Sequence, residues 1–159
     1  MEERIKKHLD LLIKRYPILE PSKNDIASAY DILEEAYTAG RKLLVAGNGG
    51  SAADSEHIVG ELMKEFKLKR KIYSAQADRL KKIDADMGLV LAENLQGTLP
   101  AISLVGEPGL STAFMNDAVP ELVFAQQVNG YGKAGDVFLG ISTSGNSKNI
   151  LYAAVAAKS

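Results

Sequence analysis

Two short stretches of this chain concentrate hydroxyls and glycines in a pattern suited to an anion. One is Ser142-Thr143-Ser144-Gly145-Asn146-Ser147, with hydroxyls on Ser142, Thr143, Ser144 and Ser147. The other is Gly47-Asn48-Gly49-Gly50-Ser51. Each follows a short apolar run and precedes a helical pattern. A helix start offers unpaired N–H groups and the positive end of the helix dipole. Glycine lets the backbone approach a ligand, and serine adds a hydroxyl donor. Neither loop holds lysine or arginine, so neutral donors must do the binding. The second loop is not G-x-G-x-x-G and no G-K-[ST] follows it, which argues against dinucleotide and Walker-type nucleotide sites. Either loop alone also fits an ordinary hydroxyl-rich turn with a helix cap. Two of them after two strands of one sheet make that plain reading harder to hold.

A second kind of chemistry comes from His57 and Glu61. Four residues apart on the helix that the 47–51 loop opens, they share one face. An imidazole beside a carboxylate can hold zinc or another divalent ion, or move a proton. The same spacing is equally that of a solvated i,i+4 pair, and the apolar stripe of Ile58, Leu62 and Phe66 runs beside it rather than through it. His8, the only other histidine, lies far away in sequence on another predicted surface helix and is expected to be solvated.

The elements that must position these groups follow from periodicity. Ile5, Leu9, Leu12, Ile13 and Tyr16 recur at helical spacing up to Pro17. Ser22 is expected to cap a second helix, with Ile26, Ala29, Tyr30, Leu33, Ala36 and Tyr37 as its buried stripe and Gly40 as its stop. Residues 43–46 read as a buried strand. Ser51 is expected to cap a helix over about 52–66, with Asp54 in its first turn. Residues 67–98 start basic and continue as one or two helices. Residues 101–105 form a second strand and 106–109 a turn. A helix follows over 121–128, ended by Gly130 and Gly132. Residues 137–141 are the third strand, and Ser147 is expected to cap the last helix. Strands alternating with helices predict a parallel sheet covered on both faces, linked by right-handed crossovers. Three strands are few for such a sheet, so the expectation is a fold lacking its C-terminal strands in this chain.

Composition sets the outer limits. The 159 residues suit one domain with a real core. A net charge of −1 supplies no general attraction to nucleic acid or an anionic membrane. The absence of cysteine excludes disulfides and thiolate metal sites. No apolar run reaches membrane-spanning length, and MEERIKKHLD has no signal-peptide core, so the expected location is cytoplasmic.

The same residues, taken in order, carry a resemblance. Ala46-Gly47-Asn48-Gly49-Gly50-Ser51-Ala52-Ala53-Asp54-Ser55-Glu56-His57, with Glu61 behind it, resembles the first signature of the phosphoheptose isomerases, a branch of the sugar isomerase (SIS) superfamily. Residues 99–104 and Thr112-Ala113-Phe114-Met115-Asn116-Asp117 resemble their second block. Phe124-Ala125-Gln126-Gln127-Val128, Gly135-Asp136-Val137 and residues 141–147 complete the set. The similarity covers residues 1–66 and 99–159. It implies a flavodoxin-like three-layer αβα sandwich, one SIS domain over 1–159, a homotetramer and a sugar-phosphate ligand. Residues 67–98 would be an inserted helical segment.

By motif position Ser142, Thr143, Ser144 and Ser147 would hold the phosphate. Asn48, Gly49, Gly50 and Ser51 would meet the sugar chain, and Asn116 and Asp117 would reach it from the same or a neighbouring subunit. His57 and Glu61 match zinc ligands, with Glu61 also the base. The reaction implied is aldose–ketose isomerisation of sedoheptulose 7-phosphate through an enediol. The resemblance also implies a glutamine and a histidine ligand from a helix beyond residue 159, so the metal set is incomplete in this sequence. A different sugar-phosphate isomerase, or a phosphosugar-binding protein without catalysis, are the competing expectations. Glu61 favours an enzyme.

Overall fold

The computed structural model describes residues 3–159; Met1 and Glu2, with which the sequence-defined domain begins, lie outside the described residues. The chain divides into two compact units, residues 1–41 and residues 42–159.

In the first unit, helix α1 (Glu3–Arg15) is followed by a 3-10 turn over Pro17–Ser22 and helix α2 (Lys23–Thr38). Lys23 Nζ donates to Asp10 Oδ1 at 2.8 Å, joining the two helices at the surface. Ser22 does not cap α2 with its side chain. The 3-10 turn runs straight into the helix, so backbone carbonyls of the turn already lie where a cap would act. Gly40 does stop α2. With φ of 69° it occupies the left-handed region, and Arg41 N–H reaches back to Ala36 O at 2.9 Å. That closure matches the glycine-terminated helix end.

The second unit holds the sheet. Strands β1 (Leu43–Gly47), β2 (Ala101–Ser103) and β3 (Val137–Ile141) pair in the order β2-β1-β3, all parallel. The central strand is buried along its length, which explains its unbroken apolar sequence. Helix α3 (Gly50–Met63) links β1 outward to β2. Helices α6 (Pro108–Asp117) and α7 (Val123–Tyr131) bring the chain back past β1 to β3, and α8 (Lys148–Ala156) follows β3. Steps in opposite directions with right-handed crossovers put α3 on one face and α7 on the other. Alternation along β1 agrees. Leu44 and Ala46 belong to a core with Leu104, Val123, Phe124, Val128, Ile150 and Ala153, from the α7–α8 side. Burial of those side chains supplies the main stabilisation, roughly 1.5–3 kcal/mol for each large one. β3 is an edge strand and leaves Leu139 exposed, as α8 leaves Leu151, Tyr152 and Val155.

Helix α6 replaces the turn expected over 106–109. Pro108 sits in its first turn, where the missing N–H costs nothing. Gly130 lies within α7, and only Gly132 ends that helix. Phe66, read as part of the α3 stripe, lies beyond the helix end and is exposed.

Residues 67–98 form a helical hairpin, α4 (Ser74–Ile83) and α5 (Ala85–Asn94). Asp84 caps α5 by accepting from the N–H groups of Asp86 and Met87. Gly88 permits the crossing, since a Cβ there would stand 2.2 Å from Leu80 O. The two ends of the excursion are tied. Lys71 bridges Gln96, and Gly97 N–H donates to Arg70 O at 2.8 Å. The Arg70 guanidinium donates to Leu62 O at 2.8 Å and to Gly97 O at 2.9 Å, and it also reaches Lys64 O. A cation on the last carbonyls of α3 is the favourable arrangement for a helix C-terminus.

At the same amino-terminal end of the sheet, Asp136 fastens β3 to β1. Its carboxylate accepts from Lys42 N–H at 3.0 Å and Lys133 N–H at 2.8 Å, and pairs with the Lys42 ammonium. Burial works against the charged form, but those donors outweigh it and hold the carboxyl below its ordinary value.

Candidate functional site

The carboxyl ends of β1 and β3 lie side by side, and the chain leaves them toward opposite faces. That is the topological switch point at which open α/β sheets bind ligands. Gly47, the last residue of β1, faces α3. A Cβ on it would stand 2.3 Å from Ser51 O, so only glycine lets the first turn of α3 fold so closely over the strand end. Gly49 takes φ of 54° and serves as the N-cap residue. Ser51 therefore does not cap α3. It is buried inside the first turn, and its carbonyl accepts from Ser55 Oγ at 2.7 Å. The chain reaches helical geometry two residues earlier than the serine suggested, because Gly49 makes the sharp turn.

The second loop curls on itself. Gly145 has φ of 68°, and Asn146 N–H donates to Ser144 Oγ at 3.2 Å. Ser147 makes no side-chain cap to α8, because its Oγ lies 3.0 Å from Ser142 Oγ. Ser142 and Ser147 are half-buried, whereas Thr143 and Ser144 are exposed.

The two loops meet through a residue that the sequence reading did not single out. Asn48 Nδ2 donates to Asn149 Oδ1 at 3.0 Å, and Asn149 Nδ2 donates back to Asn48 Oδ1 at 2.9 Å. Asn149 is in the first turn of α8, and its Oδ1 also accepts from Ile150 N–H at 3.0 Å. Beside this pair lies a cavity of about 270 Å³. Asn48, Gly49, Ser111 of α6 and Asn149 supply its polar lining, against Met115 and Phe124. Asn116 and Asp117 stand at the far end of α6, exposed, with Asn116 Nδ2 donating to Asp117 Oδ1 at 2.8 Å. They do not line this cavity, nor do the side chains of residues 142–147. Gln127 was quoted only as part of a motif. It is buried in α7, and its Nε2 donates to Leu104 O at 2.9 Å, holding the chain between β2 and α6.

His57 and Glu61 do share a face of α3. Their nearest atoms, Nε2 and Oε1, are 4.0 Å apart. The imidazole is 78% exposed and the carboxylate 29%. Lys64 Nζ stands 3.1 Å from Glu61 Oε1. Glu61 Oε2 is buried and has no hydrogen-bond partner. A buried carboxylate oxygen without a donor is costly, and it suits an incoming proton or cation. Imidazole and carboxylate are ligand types that zinc takes. They are two donors, and no group of three or more His, Cys, Asp or Glu residues able to hold a metal occurs among the described residues. Among the same residues no helix is long and apolar enough to cross a membrane.

An open parallel sheet with two glycine- and hydroxyl-rich loops at adjacent strand ends defines a ligand-binding α/β domain. No family model matches the chain. Individual relatives do. The phosphoheptose isomerase of Citrifermentans bemidjiense is 37% identical over 153 residues, covering 96% of this chain and 65% of that protein. The phosphoheptose isomerase of Synechocystis is 32% identical over 158 residues, covering 99% of this chain and 67% of that protein. Among solved structures, phosphoheptose isomerase from Neisseria gonorrhoeae superposes with a TM-score of 0.66 at 30% identity, over 98% of this chain and 68% of that one. The enzyme from Francisella tularensis gives 0.63 at 28% identity, over 95% and 70%. The fold is the SIS α/β fold, and the chain belongs to the phosphoheptose isomerase family. It spans 65% of the length of the Citrifermentans relative and 55% of one from Clostridium acetobutylicum.

Proposed function

We propose that this chain carries the phosphosugar-binding core and the catalytic base of a phosphoheptose isomerase, converting sedoheptulose 7-phosphate to D-glycero-D-manno-heptose 7-phosphate. The observation that carries the reading is the buried, unpartnered Oε2 of Glu61 on the helix that starts at the 47–51 loop. Lys64 donates to the other oxygen of this carboxylate, so Oε2 is the one left open to a proton from a substrate carbon. Glu61 removes the proton from C1 of the ketose to give the 1,2-enediol. The proton returns at C2, and the O1 hydroxyl proton moves to O2, so the aldose forms with no net gain or loss of atoms.

The phosphate is held by the hydroxyls and backbone N–H groups of residues 142–147 at the start of α8, without a formal positive charge. The sugar chain extends toward Asn48, Gly49, Gly50 and Ser51, with Asn116 and Asp117 at its margin. His57 and Glu61 would supply two ligands to a zinc ion, whose chemistry is to polarise the substrate oxygens. The resemblance implies a glutamine and a histidine as the remaining ligands. A homotetramer, which the family resemblance implies, and a cytoplasmic location complete the reading.

Two measurements test it. Glu61→Gln should abolish turnover of sedoheptulose 7-phosphate while leaving its binding, followed by calorimetry, within about twofold of wild type, since the amide keeps the shape and loses only the base. Equal loss of binding and turnover would move Glu61 from catalysis to substrate holding. His57→Ala should lower the zinc content of protein purified with the metal, and an unchanged content would remove the metal role.

A further inference from the structure

We infer that Asn149 is a positioning residue that fixes the gap between the two ligand-binding loops by pairing its amide with that of Asn48. The pair joins residues 101 positions apart through two reciprocal hydrogen bonds of 3.0 and 2.9 Å. A side-chain amide offers one acceptor and one donor group, and here each face of one meets the matching face of the other. Asn149 Oδ1 also accepts the Ile150 N–H, so the amide is anchored to the first turn of α8 before it crosses the crevice. Both asparagines line the same cavity, beside Ser111.

The two loops leave adjacent strands toward opposite faces of the sheet, so nothing in the strand ladder itself fixes how far apart their tips stand. β1 and β3 pair only as far as Gly47 and Ile141. Beyond that point, the Asn48–Asn149 pair is the side-chain link between the first loop and the start of α8. A ligand that is a phosphate at one end and a polyol at the other must touch both loops at once. A fixed gap is therefore worth more to such a ligand than to inorganic phosphate, which needs one loop only. This inference rests on the proposed function for its ligand, a phosphorylated polyol, but not for the pair itself.

The experiment is a double-mutant cycle in binding, using the whole chain with sedoheptulose 7-phosphate and, separately, inorganic phosphate as probes. Asn149→Ala should weaken sugar-phosphate binding about fivefold to tenfold, the size expected for losing a fixing pair of neutral hydrogen bonds. It should leave inorganic phosphate binding nearly unchanged. Once Asn48→Ala is in place, adding Asn149→Ala should cost little more, because Asn149 acts through Asn48. Asn149→Ser, which is too short to cross but keeps a helix-start acceptor, should behave as Asn149→Ala and guards against misfolding. Losses that simply add, or a sugar-phosphate affinity equal to wild type in both Asn149 variants, overturn the inference alone. Failure of the wild type to bind the sugar phosphate overturns the proposed function. In that case the pair is still tested without ligand. The side-chain amide resonances of Asn48 should shift in an 15N spectrum of Asn149→Ala, and an unmoved Asn48 signal overturns the inference.

Discussion

Asp136→Asn is the substitution whose effect the structure determines most fully. The carboxylate is 7% exposed and pairs with the Lys42 ammonium, whose side chain is 20% exposed. It also accepts the N–H groups of Lys42 and Lys133. The amide keeps one acceptor oxygen. It loses the ion pair and turns an NH2 group toward one of the two backbone donors. Hydrogen bonds to a charged group are worth about 1.5–3 kcal/mol, and removing one partner of a buried pair costs about 3–5 kcal/mol. Because Lys42 keeps some contact with water, the expected loss is near the lower end, about 3 kcal/mol. For a chain of this size that lowers Tm by about 6–12 °C. Asp136 has its folded-state carboxyl held below the ordinary value of 3.8. A depressed carboxyl stabilises the fold above its unfolded-state pKa, and that contribution is lost as pH falls through the lower folded value. Thermal unfolding followed by circular dichroism should therefore show the full difference between wild type and variant at about pH 7. The difference should shrink only as pH falls below the ordinary carboxyl range, about 4. Equal Tm values at neutral pH, or a gap that persists unchanged into acid, would refute the reasoning.

Other perturbations follow from close contacts. Gly47→Ala drives a Cβ to 2.3 Å from the Ser51 carbonyl oxygen, backbone that cannot give way cheaply. It should destabilise by at least about 1–3 kcal/mol and weaken phosphosugar binding, measured by thermal unfolding and calorimetry. Gly88→Ala puts a Cβ 2.2 Å from Leu80 O and should separate α4 from α5, seen as faster amide hydrogen exchange across Ser74–Ile83 and Ala85–Asn94 and not in β1. Arg70→Ala strips donors from Leu62 O and Gly97 O and should cost about 2 kcal/mol, with faster exchange confined to the end of α3 and to residues 95–99.

The central strand was legible because a parallel strand buried on both faces has to be an unbroken apolar run, and the two edge strands were legible as short apolar runs bounded by turn residues. The two loops were legible as strand-to-helix turns because glycine and hydroxyl residues behind an apolar run favour a turn there. The shared face of His57 and Glu61 followed from helical spacing alone. Helix α6 was not legible, since Gly106-Glu107-Pro108-Gly109 has the composition of a turn and Pro108 opens a helix from within it. Ser22, Ser51 and Ser147 were each read as caps on residue type. Their roles were decided by neighbours: a 3-10 turn before Ser22, the positive φ of Gly49 before Ser51, and Ser142 beside Ser147. Asn149 looks in sequence like any polar residue in a first helical turn. Its partner is 101 positions away, and only the closing of the sheet brings them together. The same holds for the buried Glu61 oxygen, whose seclusion no local pattern records.

The tie between Lys71 and Gln96 has a bearing on how this chain could change over time. Antiparallel partners stand about 5 Å apart, so the backbone departs and comes home at nearly one point. Whatever lies between those two doorposts leaves the geometry of the sheet untouched. Residues 72–95 are thus free to lengthen, shorten or be exchanged for a tight turn, while Arg70 goes on gripping the end of the helix that carries Glu61.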